Sequence, residues 1–258
     1  MERIPPDIDR VLHAYIGGVQ RLFAEGLIGV YIHGSLAYDA FDAVASDVDL
    51  VVVHRADLTR EQRRALPGLH VSLLAAHPAA ARFDGTYAPL NAIGSYDTAT
   101  CRAFRDGRLL ARGCGDLNAV TKHTLRTRGL ALYGPPAAEV VPLVSVDELR
   151  ANMRRNIAFL RRRMPAYVVG GTTSTVFGVL TSCRVLYTLR TGEIASKRTA
   201  TRWASQRVAA RWRPLLRRAL TRYGRRAGPD LVLAAGAVPF AAYITRVTEH
   251  GDFVDSSQ

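Results

Sequence analysis

The stretch "SDVDLVVVH", Ser46 to His54, constrains the fold more than any other. Its apolar, mostly β-branched run reads as a strand buried on both faces. Two aspartates enter that strand at spacing i, i+2. Successive strand side chains point to opposite faces, so Asp47 and Asp49 share one face and Val48 takes the other. Two carboxylates so close repel each other unless a cation sits between them. The chain must therefore build a sheet with an acidic rim. Mg²⁺ suits that rim, because it takes one or two carboxylates and fills its shell with waters and substrate phosphates.

A second strand, "IGVYIH", ends on Gly34-Ser35, and an eleven-residue spacer (36–46) leads to the aspartates. Glycine lets backbone N–H groups approach a phosphate, and Ser35 adds a hydroxyl donor. Together these parts can hold a nucleoside triphosphate and its metal. The chemistry they serve is nucleotidyl transfer: an acceptor hydroxyl attacks the α-phosphorus and pyrophosphate leaves.

Around this motif the pattern predicts a helix from Asp7, as N-cap, to about Glu25, with Gly26 as C-cap. Its apolar stripe is Ile8, Val11, Leu12, Ile16, Val19, Leu22 and Phe23. "LHVSLLA" reads as a third strand, residues 76 to about 97 as a long loop, and everything after about 98 as helical. "SVDELRANMRRNIAFLRRRM" carries a capping box, Ser145 with Glu148, and a stripe of Leu149, Met153, Ile157, Leu160 and Met164. "PPAAEVVPLV" is the best linker. The expectation is an α+β chain: a mixed sheet with helices over residues 1–140, then an all-α helical bundle over 141–258. A cleft between the two would be the natural ligand site.

The 258 residues carry a net charge of +13, nearly all of the positive charge being Arg; Lys122 and Lys197 are the lysines. Such a field favours polyphosphates, repels polycations and argues for a monomer. No RNA-binding module or aromatic-interleaved basic patch occurs, so nucleic acid is not the expected partner. The charged N-terminus has no signal-peptide core. The longest apolar run, Leu231 to Ile244, is too short to span a bilayer. Cys101, Cys114 and Cys183 have no metal-ligand spacing and read as reduced core thiols of a cytoplasmic protein.

Gly-Ser, the spacer and Asp-x-Asp-"LVVV" together resemble the nucleotidyltransferase superfamily of the polymerase-β type. "VLTSCRVLYTLRTGEIASKRTATRWA" and "TKHTLRTRGLALYGPPAAEV" are similar to the helical domain and the inter-domain segment of the streptomycin/spectinomycin adenylyltransferases. The resemblance implies an ATP-dependent adenylyltransferase of the antibiotic-resistance type, which moves AMP from Mg·ATP to a hydroxyl of an aminoglycoside-like or other hydroxylated small molecule. It places Gly34, Ser35 and Ser46 on the triphosphate and Asp47 and Asp49 on Mg²⁺. It further implies Arg184 and Lys197 as phosphate-binding cations and Tyr243 as an aromatic near the nucleotide. Lys197 also has a physical case, since a compact ammonium suits a triphosphate as a point charge.

Two departures stand out. The resemblance implies a glutamate base on the third strand; in "LHVSLL" that position is His70. Three readings stay open: His70 is the base, with a suitable unperturbed pKa; Asp84 or Asp97 substitutes; or no residue acts as base. In the last case the chain either relies on positioning and electrostatics or is a nucleotide-binding sensor or regulator. The acceptor side differs too, because "GGTTSTVFGV" carries no acid to receive an ammonium group. A neutral or weakly charged hydroxylated acceptor fits these electrostatics better than a polycation.

Overall fold

The apolar run after Asp47 forms β2 (Val48–His54), a central strand of a six-stranded sheet. The computed structural model describes residues 4–38, 41, 46–111, 117–225 and 228–250. The chain divides into two compact units, Met1–Val144 and Ser145–Gln258; the expected boundary followed residue 140. Cys101 and Cys183 are free and buried, while Cys114 lies outside the described residues.

The first unit also contains β1 (Leu27–His33), β3 (Phe83–Pro89), β4 (Arg102–Arg105), β5 (Arg108–Leu109) and β6 (Leu130–Tyr133), in the order β5-β4-β3-β2-β1-β6. The pairing of β2 with β3 is parallel, and the other ladders among the described residues are antiparallel. A parallel pair needs a crossover, supplied here by helix α3 (Arg60–Ala76). One face of the sheet packs Val30, Val48, Leu50, Val52 and Tyr87 against α1 (Pro6–Phe23) and α3. The other packs Tyr31, Val51, Val53 and Ala88 against α4 (Leu90–Gly94) and α5 (Ala119–Arg128). Burial on both faces is why β2 reads as a continuous apolar run.

Several local expectations are corrected. Residues 69–75 are helical, not a strand. Thr59 and Gln62 form a capping box at the start of α3, and Leu66, His70 and Leu73 make its buried stripe. Pro67 and Gly68 inside that helix disguised its period. The third strand is instead β3, inside the segment expected to be a loop. Its Asp, Gly and Pro are poor strand formers, and the ladder to β2 overrides them. Strands β4, β5 and β6 break the expected all-helical stretch after residue 98. At its start α1 uses Pro5 and Pro6 rather than an Asp7 side-chain cap.

The second unit is helical as expected: α6 (Ala137–Val140) precedes it, and it comprises α7 (Val146–Val169), α8 (Thr172–Thr191), α9 (Lys197–Ser205), α10 (Arg213–Arg222) and α11 (Leu231–His250). The capping box and the five-residue apolar stripe of α7 are both present, and the stripe is buried. Asp230 caps α11 by accepting from the Leu233 amide at 3.0 Å, and it receives Arg218 Nε and Arg222 Nε at 2.7 Å and 3.0 Å. By length and composition α11 is apolar enough to cross a membrane. Its Leu233, Ala237, Phe240 and Ile244 are fully buried in the helical core.

Candidate active site

β1 ends on His33, which is paired with Asp49 of β2. The chain then turns sharply into α2 (Gly34–Ala37). Gly34 has φ +68, and a Cβ there would stand 1.8 Å from Asp49 Oδ2. Only glycine allows this turn to lie against the Asp49 carboxylate. The Ser35 hydroxyl that follows is buried and has no hydrogen-bond partner among the described residues. A buried orphan hydroxyl is costly unless a ligand satisfies it.

On its other side Asp49 is in parallel register with Asp84 of β3. Residues paired across a ladder project from the same face, so His33, Asp49 and Asp84 form a polar row on one face of the sheet. Asp47 is exposed and Asp49 half-buried. Ser46 is buried, and its carbonyl accepts from Arg82 Nη2 at 2.5 Å, which fixes the backbone just before the acidic pair.

Asp84 is a further acid on this face of the sheet, on a strand inside the segment expected from sequence to be a loop. Its Oδ1 accepts from the Asp106 amide at 2.8 Å, and its Oδ2 lies 3.5 Å from Arg105 Nε. Burial pushes its carboxyl above the ordinary carboxylate range and the charge of Asp47 adds to this, against the pull of the Asp106 amide and Arg105. A carboxyl raised by its surroundings and next to a second carboxylate is suited to receive a proton. Both Asp106, φ +50, and Gly107, φ +69, are left-handed, as a two-residue hairpin turn requires. The Asp-Gly dipeptide was the signal that could have located β4, β5 and hence Asp84.

His70 is corrected from a rim residue to a core residue. It is 2 % exposed. Its Nδ1 bonds the Gly107 carbonyl at 2.8 Å and its Nε2 the Tyr87 hydroxyl at 2.9 Å. Burial lowers its pKa, opposed by the Gly107 carbonyl. With both nitrogens engaged inside the apolar layer, it has no free position for a substrate proton. Asp97 is likewise absent from the acidic row. Its carboxylate accepts from the Ala99 amide in a surface turn.

Among the described residues no group of three or more His, Cys, Asp or Glu side chains is arranged as a complete metal cage. That is compatible with Mg²⁺, which takes one or two carboxylates and completes its shell with waters and substrate phosphates. Asp47 and Asp49, the latter lying against the Gly34 turn that precedes Ser35, are a donor set of this incomplete kind.

In the helical unit, Lys197 opens α9 just after the Ser196 cap. Its Nζ lies 4.5 Å from the Phe177 ring centroid and 5.7 Å from that of Tyr223. Arg184 is half-buried two turns beyond Phe177 on α8, and so on the same helix face. Tyr243, expected near the nucleotide, is instead a core residue. It packs on Trp212, and its hydroxyl accepts from the Ala209 amide at 3.0 Å.

Residues 139–245 match the family described as aminoglycoside adenylyltransferase, C-terminal domain. Arg184, Lys197 and Tyr243 all fall within the matched residues. Across 93% of its length the chain has the fold of a solved spectinomycin adenyltransferase, AAD(9) from Enterococcus faecialis, determined with ATP and spectinomycin. The likeness covers 98% of that chain, with a TM-score of 0.73 and 14% sequence identity. The α+β architecture expected from sequence is therefore that of this solved structure. No curated protein matches the chain significantly.

Proposed function

We propose that the protein is an adenylyltransferase that moves AMP from ATP to a hydroxyl of a small molecule and releases pyrophosphate. The observation that carries this reading is the register of Asp49 against Asp84, with the charge of Asp47 acting on Asp84. Asp47 and Asp49 would hold Mg²⁺. When bound, the ion offsets the triphosphate charge and the charge developing on the leaving pyrophosphate. Gly34, Ser35 and Ser46 receive the triphosphate. From the helical unit, Arg184 and Lys197 are proposed as phosphate contacts.

Asp84 replaces His70 as the proposed general base. It takes the proton of the acceptor hydroxyl as that oxygen bonds to the α-phosphorus. The bond from the α-phosphorus to the bridging oxygen breaks, and pyrophosphate carries away the electron pair. The case for a non-catalytic sensor rested on a missing third acid, and the register of Asp84 with Asp49 supports the catalytic reading instead.

The acceptor is proposed as a hydroxylated compound of low positive charge. Spectinomycin, present in the solved AAD(9) structure, is the natural first compound to try. The +13 net charge opposes a polycationic acceptor. Mass spectrometry of products from labelled ATP tests this, using spectinomycin-like aminocyclitols, aminoglycosides and neutral glycosides. ATP binding without product across the whole panel would overturn the catalytic reading.

A further inference from the structure

His70 takes no direct part in the proposed reaction, yet it is buried with both ring nitrogens hydrogen-bonded. A carbonyl only accepts, so the bond to Gly107 puts the ring hydrogen on Nδ1. The neutral ring then accepts at Nε2 from the Tyr87 hydroxyl, which in turn accepts from the Tyr15 hydroxyl at 2.9 Å. A relay of donors runs from Tyr15 through Tyr87 and His70 and ends on the backbone of the β4–β5 turn.

That turn also holds Asp84. The Gly107 amide donates to the Phe83 carbonyl at 2.8 Å, and the Asp106 amide donates to Asp84 Oδ1 at 2.8 Å. Strand β5 is two residues long and lies at the sheet edge. So short an edge strand secures a turn weakly. Gly107 is gripped instead from two sides, by His70 on its carbonyl and by Phe83 on its amide, with Ala80 packed so close that a Cβ would meet its oxygen at 2.3 Å.

We propose that His70 is a positioning residue for Asp84: by holding the Gly107 carbonyl it sets the turn from which the Asp106 amide fixes the Asp84 carboxylate. The inference rests on the reading of Asp84 as the base.

Two variants of similar size and polarity separate this role from general support of the core. In His70→Asn the side-chain amide nitrogen falls near the former Nδ1 and can still donate to Gly107. In His70→Gln it falls near the former Nε2 and cannot. His70→Gln is expected to speed hydrogen exchange at the Asp106 amide about tenfold or more. It is expected to lower kcat for pyrophosphate release about 10- to 100-fold, with the KM for ATP changed by less than about threefold. His70→Asn stays near wild type in both readouts. Equal Asp106 exchange in the two folded variants overturns the proposal, and so does faster exchange with unchanged kcat. If His70→Gln does not fold, the wild-type tautomer decides by long-range ¹H–¹⁵N NMR: a hydrogen on Nδ1 supports the role, and one on Nε2 overturns it. Failure of the adenylyl-transfer reading looks different, because then wild type releases no pyrophosphate, or Asp84→Asn keeps full turnover, whatever the exchange rates.

Discussion

Asp49 and Asp84 stand directly opposite one another across the parallel strands β2 and β3, so both carboxylates leave the same face of the sheet. The spacing between them is set by a backbone ladder on two buried strands. Each acid also has its own backbone support: the Gly34 turn lies against Asp49, and the Asp106 amide bonds Asp84. Rigid placement of this kind is what positioning catalysis requires.

Removing one charge from the row should stop turnover without unfolding the protein. Asp49→Asn is expected to lower pyrophosphate release by about 10³-fold or more, the scale of losing a principal electrostatic contact to the reacting group. The melting temperature should be unchanged or raised, because like charges are relieved. A coupled phosphate assay alongside thermal melts reads both. Turnover within tenfold of wild type would remove Asp49 from the proposed site.

Gly34→Ala should lose both stability and turnover. A left-handed alanine costs about 1–2 kcal/mol, and its methyl would collide with the Asp49 carboxylate. Urea titration measures the first effect, and calorimetry with ATP measures the second as weakened binding. An alanine variant that binds ATP normally would contradict the close approach of this turn.

The helical unit should be acid-sensitive through Asp230. Burial opposes its charge, but Arg218, the Leu233 amide and Arg222 together hold its carboxyl below the ordinary range. A depressed carboxyl stabilises the fold above the unfolded value of about 3.9, and this contribution is lost as pH falls through the lower folded value. Asp230→Asn should flatten the fall in stability at acid pH. Asp230→Ala also removes the α11 cap and should cost at least about 1 kcal/mol at neutral pH. Circular dichroism melts between pH 2 and 7 follow both variants.

His54 and His70 should destabilise the sheet unit in mild acid. Burial lowers both pKa values, with the Ala56 and Gly107 carbonyls opposing it. Their neutral forms support the fold fully above the unfolded value of about 6.5. Below it the unfolded chain binds more protons, so stability falls with pH. His70→Asn should reduce the pH dependence of the melting temperature between pH 4 and 6.5, and an unchanged slope would contradict a buried neutral ring.

The parts legible in sequence were those whose local pattern and tertiary role agree. β2 is a run of apolar residues because both its faces are covered. The Gly-Ser turn is short and chemically marked. α7 announces itself by a cap at Ser145 and a stripe every three to four residues. Elements failed where tertiary contacts override local preference. β3 is held by its ladder to β2 despite Asp84, Gly85 and Pro89. α3 contains Pro67 and Gly68, so its Leu-His-Val-Ser-Leu-Leu segment looked like a strand. Once the third strand was misplaced, His70 was put on the rim, while the strand that pairs with β2 carries Asp84. Tyr243 was misread for a related reason: an aromatic on an apolar helix looks the same whether it faces a ligand or the core.

The parallel run of β2 and β3 has a consequence for how such a rim can vary. Because peptide hydrogen bonds hold the two attachment points in register, side-chain length can change without shifting the scaffold. A glutamate at residue 84 would extend the reach by one methylene and leave its neighbour across the ladder where it is. Chemistry at this edge can thus drift by single-carbon steps while the architecture beneath stays still.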